Sequence, residues 1–234
     1  MNLLPTTTSA DERDRGATVA VLPVGSFEQH GDFHPLATDT LIACAIAERI
    51  AKDHNLFLLP PITISCSHEH STFAGTVSIR ATTLVGVIED VWTSLQQTGF
   101  DKLVIVNGHG GNYVLKHVAQ QSNITKPRLI LFPTSDDWAK ARIDAGMETS
   151  NHEDMHAGEL ETSILLQVAP ESLRPGYEQG DHSADDRRFL NTLGIAAYSK
   201  SGIIGQPSLG TQDKGSRALD SLAVSFSEHI AAAG

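Results

Sequence analysis

Three short, almost wholly apolar runs frame this chain: residues 18–24, 56–64 and 102–106, with a fourth at 128–133. A strand that is apolar on both sides is buried on both faces. That is the condition of a parallel sheet covered by helices. Between the runs lie segments whose apolar residues recur at helical spacing. Residues 38–52 set Leu41, Ile42, Ala45, Ile46 and Ile50 along one side, and residues 82–97 do the same with Leu84, Val87, Ile88, Val91 and Leu95. Further helices are expected over 112–121, 137–146, 157–168 and 215–232. Strands alternating with helices predict a layered α/β fold. Residues 75–79 are expected as an extra antiparallel strand, and the turn-rich stretch 170–209 as a long surface excursion. Residues 1–16 read as a short mobile tail, and 17–234 as a single domain.

Charge narrows the partners. The chain has 17 basic and 28 acidic residues, a formal net charge of −11. Such a surface repels phosphate backbones, so no nucleic-acid partner is expected. No apolar stretch approaches the ~18 residues needed to span a bilayer, so no membrane role is expected either. Asp11, Glu12 and Asp14 lie where a signal peptide would carry basic and then apolar residues. Cys44 and Cys66, the only cysteines, read as reduced thiols, and a cytoplasmic location is expected.

Four segments carry residues suited to chemistry. Glu28 and His30 follow the first apolar run within Gly25-Ser-Phe-Glu28-Gln-His30-Gly31. Two residues apart in extended backbone, they point to one side. Asp39 stands where the next helix begins, either as a ligand or as a helix cap. His109 sits in Asn107-Gly-His109-Gly110-Gly111-Asn112 between a buried run and a helix. That loop lacks the Lys-Ser/Thr ending of a phosphate-binding loop, so its histidine reads as a ligand. The fourth segment is Asp154-Met-His156-Ala-Gly-Glu159-Leu-Glu161. Taken as helix, it puts His156 and Glu159 on one face and Glu161 on another.

Carboxylates and imidazoles converging at strand ends suit zinc or manganese better than calcium or magnesium. Two such cations sharing Asp39 would activate a water and polarise a carbonyl. The competing class is a non-catalytic metal- or ligand-binding protein, which would not need His156 beside the ligands. A nucleotide-binding protein using the 107–112 loop leaves Glu28, His30 and Asp39 unexplained. Ser67, Glu69, Gly110 and Trp138 are candidate substrate contacts.

These segments resemble the creatininase family. The resemblance lies in Leu22-Pro-Val-Gly-Ser-Phe-Glu28-Gln-His30-Gly31 with Pro35-Leu-Ala-Thr-Asp39, in the 107–112 loop, and in His156-Ala-Gly-Glu159-Leu-Glu161-Thr-Ser163. Glu69-His70, Phe73-Ala-Gly-Thr76, Gly205-Gln-Pro207 and Lys214-Gly215 extend it over roughly residues 18–230. The resemblance implies a three-layer α/β/α sandwich with a mostly parallel sheet, assembled as a homo-oligomer, often a hexamer. It also implies two divalent metals per chain, Zn²⁺ and/or Mn²⁺, and hydrolysis of C–N bonds in small-molecule or short-peptide amides. Carried over, Glu28 binds one metal, His30 and His109 the other, and Asp39 bridges. Creatininase has an acidic residue where this chain has Gly111. Members with the glycine include a formamidopyrimidine deformylase and the mycofactocin precursor peptidase. In them the third motif supplies the missing ligand, which points to Glu159. His156 resembles the histidine that shuttles a proton to the leaving nitrogen. Creatinine itself is not the expected substrate.

Overall fold

The structure, a computed structural model, describes residues 3–234. In chain order its elements are α1 (Ser9–Arg15), β1 (Val19–Val24), α2 (Thr38–His54), β2 (Phe57–Leu58), α3 (Ala81–Gln97), β3 (Lys102–Asn107), α4 (Val114–Ser122), β4 (Leu129–Phe132), α5 (Ser135–Ala145), α6 (Glu159–Val168), the one-turn α7 (Leu190–Leu193) and α8 (Gln212–Ala232). The strands form one sheet in the order β2-β1-β3-β4, every pair parallel. Side chains alternate across it, as the two-residue period of a strand requires. Val21, Val104, Val106 and Phe132 enter a core with Ile42, Ile46, Ala141, Ile164 and Phe226, drawn from α2, α5, α6 and α8. Ala20, Leu22, Val24, Leu103 and Ile105 enter the opposite core with Leu84, Ile88 and Leu115 of α3 and α4. The result is the expected three-layer α/β/α sandwich around a parallel sheet.

Strand order fixes where a site can form. From β1 the chain steps to one side for β2, then crosses back to β3 and β4 on the other. The order reverses between β1 and β3. The crevice beyond the carboxyl ends of those two strands is where open α/β sheets bind ligands. The loops that leave there are the ones carrying Glu28, His30 and His109.

Four expectations are corrected. The run 56–64 forms only the two-residue β2, because Pro60 and Pro61 have no N–H to give the ladder. Pairing resumes for a single bridge, Val24 with Ile62. Residues 75–79 form no strand: Val77 N donates to Phe27 O, whereas Ile79 N donates to Ser65 O, so the segment divides its bonds between two partners. Part of the expected tail is helical. Thr8 and Asp11 form a reciprocal capping box and left-handed Gly16 closes α1; residues 1 and 2 lie outside the described residues. Finally, the 170–209 excursion is not all surface, since Ile195, Ile203 and Ile204 are buried and His156 N and Ile204 O pair. Among the described residues no helix is long and apolar enough to cross a membrane.

Candidate metal centre

Asp39 is the second residue of α2, and the N-cap, Ala37, makes no side-chain cap bond. The Asp39 carboxylate is therefore not spent on capping. The β3 loop closes on this first helical turn because residue 108 is glycine: a Cβ there would stand 2.3 Å from the Asp39 carbonyl oxygen. That contact sets His109 against Asp39. From β1 the chain delivers Glu28 and His30, both fully buried, to the same point.

Hydrogen bonds to backbone carbonyls orient the rings. A carbonyl only accepts, so the ring nitrogen facing it carries the hydrogen. His30 Nδ1 donates to Glu28 O at 3.1 Å, His109 Nε2 to Cys66 O at 2.9 Å, and His156 Nε2 to Gln29 O at 2.7 Å. Each ring then turns its other nitrogen inward. His109 Nδ1 stands 3.2 Å from both Glu28 Oε1 and Asp39 Oδ2. His30 Nε2 is 3.1 Å from Asp39 Oδ1 and 3.8 Å from Glu161 Oε2. His156 Nδ1 faces Glu28 Oε1 at 3.8 Å, too far for a hydrogen bond.

Two buried oxygens here, Glu28 Oε1 and Asp39 Oδ2, accept no well-aligned hydrogen bond. A buried carboxylate oxygen left without a partner is costly, and a cation is the partner that fits. Three sets of ligand atoms, Glu28–Asp39–His109, His30–Asp39–Glu161 and Glu28–His30–His156, each lie within 4.8 Å of one another. The first two share only Asp39 and offer one imidazole and two carboxylates apiece. That donor chemistry fits two divalent cations of the zinc or manganese kind.

The electrostatics agree. Burial is the largest influence on His30 and opposes its charge, but Asp39, Glu161 and Glu28 together outweigh it, and the ring is pushed up to about 9. Burial opposes charge on His109 too, and Glu28 and Asp39 overcome it, holding that ring well above its ordinary range. Without cations the carboxylates thus draw two protons onto the rings that face them. His156 moves the other way: burial and the charge on His30 keep it neutral, well below its ordinary value. Burial lifts Glu161 to about 7 against the pull of His30.

Glu28, His30, Asp39, His109 and His156 converge as the sequence suggested. Glu159 does not join them. Its carboxylate accepts from Glu148 N, from Thr149 N and Oγ1, and from Lys214 Nζ at 2.5 Å. It belongs to a polar knot between α6 and α8. The acid that reaches the centre is Glu161, steered by a 2.6 Å bond from Ala157 N to its Oε2. His156 and Glu159 do not share a helical face, because His156 lies before the helix. Ala157 takes a left-handed φ of 55° and Gly158 caps α6, so the chain turns between them. Among the ligand sets, His109 falls with Glu28 and Asp39, and His30 falls with Asp39 and Glu161 in one set and with Glu28 and His156 in another.

Two further buried residues belong here. His70 Nε2 lies 3.3 Å from Glu28 Oε1. Gln29 Nε2 reaches His70 Nδ1 at 2.9 Å and the Gly202 carbonyl at 3.2 Å. Their adjacency to Glu28 and to Glu69 was the available sequence signal. Ser67 is fully buried and its Oγ has no partner. Gly110 and Trp138 line a cleft of about 250 Å³ that His109 and Glu161 also border, with Ile42, Met155 and Leu160 as its apolar wall.

Comparison with known proteins follows the same lines. The family model described as "Creatininase: Creatinine amidohydrolase" matches residues 5–230. A mycofactocin precursor peptide peptidase of Mycobacterium ulcerans (strain Agy99) is 34% identical, the match covering 84% of this chain and 78% of that protein. A solved creatininase variant described as Zn-Zn type superposes with a TM-score of 0.80 at 22% identity, covering 98% of this chain and 97% of the other. A structure described as "Creatininase Mn" gives 0.78 at 22% identity, covering 96% and 95%. At these identities the structures establish likeness of fold.

Proposed function

From the premise that this chain belongs to the creatininase family, we propose that it is a metal-dependent amidohydrolase in which Glu28, Asp39 and His109 hold one divalent cation, His30, Asp39 and Glu161 hold a second, and His156 handles the proton. The observation that carries this reading is the pair of unpartnered buried oxygens, Glu28 Oε1 and Asp39 Oδ2, ringed by inward-facing imidazole nitrogens. The relatives described as Zn-Zn and Mn forms support zinc or manganese as the occupants. Two such cations lower the pKa of a bound water and polarise an amide carbonyl.

The chain's own residues do the rest. Asp39, reaching toward His30 and His109 with different oxygens, fixes the spacing of the two ligand sets. The Gln29 carbonyl holds the His156 hydrogen at Nε2 and keeps the Nδ1 lone pair inward. A neutral ring at neutral pH is able to take a proton at Nδ1 and pass it to the leaving nitrogen, which departs poorly unless protonated. The Trp138 cleft takes the apolar part of the substrate, with Gly110 at its rim. The 34% identity to a peptide peptidase favours a short peptide over a cyclic amide. The same proposal includes a homo-oligomer, supported by the family resemblance, and a cytoplasmic setting.

Metal analysis of protein purified without chelator, then an amide and peptide screen with and without chelator, tests the reading. The expected result is two divalent cations per chain and chelator-sensitive release of amine. A protein that takes up neither zinc nor manganese would overturn it.

A further inference from the structure

A second cleft opens at Glu69, whose carboxylate stands on the Nε2 side of His109. It has a volume of about 490 Å³ and is walled by the 68–72 turn, by Gly111 and Tyr113, and by the 190–194 segment. Its one carboxylate is Glu69, and no lysine or arginine lines it. Glu69 Oε1 lies 3.5 Å from His109 Nε2, but that N–H is already given to the Cys66 carbonyl at 2.9 Å. Glu69 therefore has a histidine for a neighbour and only its own backbone N–H as a donor.

The carboxylate lies against Gly111. A Cβ at that position would meet Glu69 Oε1 at 2.0 Å and His109 Nε2 at 2.4 Å. Any side chain at 111 would drive Glu69 out of the cleft, so the glycine and the acid come as a pair. Glu69 is only 18% exposed along its side chain. Once a cation displaces the extra proton from His109, this acid has only a neutral ring and its own N–H beside it, which leaves room for a further donor. A ligand bearing a positive nitrogen would complete it. The hydroxyls of Ser71 and Thr72 and the amide of Asn191 border the same space and suit the remaining ammonium hydrogens. Leu190 and Leu193 would cover an aliphatic stem.

We propose that this cleft is a substrate subsite for a protonated amine, held by Glu69, so that the amides this protein prefers are cationic ones such as short peptides with a free amino terminus. The inference rests on the amidohydrolase reading above. Together the two clefts divide the work: the Trp138 side receives an apolar group and the Glu69 side a charged one.

The test compares trialaninamide with N-acetyl-trialaninamide, which differ in that charge. Calorimetric titration of the zinc-loaded protein reads binding, and mass spectrometry of the same samples reads cleavage. The free amine should bind about tenfold more tightly, the scale of a hydrogen-bonded contact to a charged group. Glu69→Gln should bring the two affinities within about twofold while metal content stays unchanged. Leu193→Trp, which fills the cleft from an exposed position, should weaken the free amine selectively. Equal affinities in the unmodified protein, a preference that survives Glu69→Gln, no binding of either peptide, or metal loss in Glu69→Gln would each overturn the proposal. Cleavage of the acetylated peptide without any charge preference would leave the hydrolase reading standing and remove the subsite. A charge preference with no cleavage of any amide would do the reverse.

Discussion

At Glu159 the carboxylate is fully buried and bonded to Lys214, whose side chain is 13% exposed. Removing its charge strands that lysine, and breaking a buried pair costs about 3 kcal/mol or more. Glu159→Gln should therefore lower the unfolding midpoint yet leave metal content at two. Glu161→Gln should do the opposite, losing the cation shared with His30 and little stability. If Glu159→Gln sheds metal and Glu161→Gln keeps it, the reassignment of the fifth ligand is wrong. Asp39→Ala should empty both positions, whereas His30→Ala or His109→Ala should empty one each; elemental analysis of the three variants reads this directly. Affinity should also depend on pH with a defined sign. His30 is raised to about 9 and His109 is raised as well. Below about pH 9 His30 carries a proton that a cation must displace, and the raised His109 adds a second. Apparent zinc affinity should rise by about tenfold per pH unit for each ring released, with the His30 contribution levelling off above about pH 9. A flat profile between pH 7 and pH 9 would mean the rings are not ligands.

At the scale of elements, the centre exists because α2 begins hard against the β3 loop. Gly108→Ala places a methyl 2.3 Å from the Asp39 carbonyl oxygen, a backbone atom that cannot swing aside. The helix start must retreat, and metal content should drop with it although no ligand is altered. Circular dichroism would show the fold retained, and unchanged metal content would show the contact to be slack. Much of this was legible in the sequence. The runs at 18–24 and 102–106 are apolar enough to read as buried strands, and the ligands follow them directly. What was illegible depends on long-range geometry. Nothing local in Ala157-Gly158 announces a left-handed residue before a helix, yet that turn exchanges Glu159 for Glu161 at the centre. Likewise Ile204 lies 48 residues beyond His156 in the sequence, and only folding reveals that it pairs with it. Pro60-Pro61 is the local signal for the early end of β2, since neither has an N–H for the ladder.

For the molecule as a whole, the cations should act as part of the fold. Glu28, Asp39 and Glu161 crowd together in a chain already at −11. Ligands that bind only the native state stabilise it by about 2.7 kcal/mol per site at a hundredfold excess over Kd, so two sites contribute about 5 kcal/mol. For a chain of 234 residues, each kcal/mol moves the midpoint by about 2–4 °C. Chelation should therefore lower Tm by roughly 10–20 °C. The gap should also widen with pH. A histidine whose folded pKa is raised contributes stability that is full below its unfolded value, near 6.5, and is lost as pH rises through about 9. The metal-free protein thus weakens across that window, while the loaded protein, its rings already deprotonated on the cations, does not follow. Scanning calorimetry at pH 7 and pH 9, with and without chelator, measures both gaps. Asp39→Ala serves as the control, because a chain that cannot hold either cation should show no chelator effect at either pH. A chelator gap that stays constant or narrows toward pH 9 would break the link between the raised histidines and the metals.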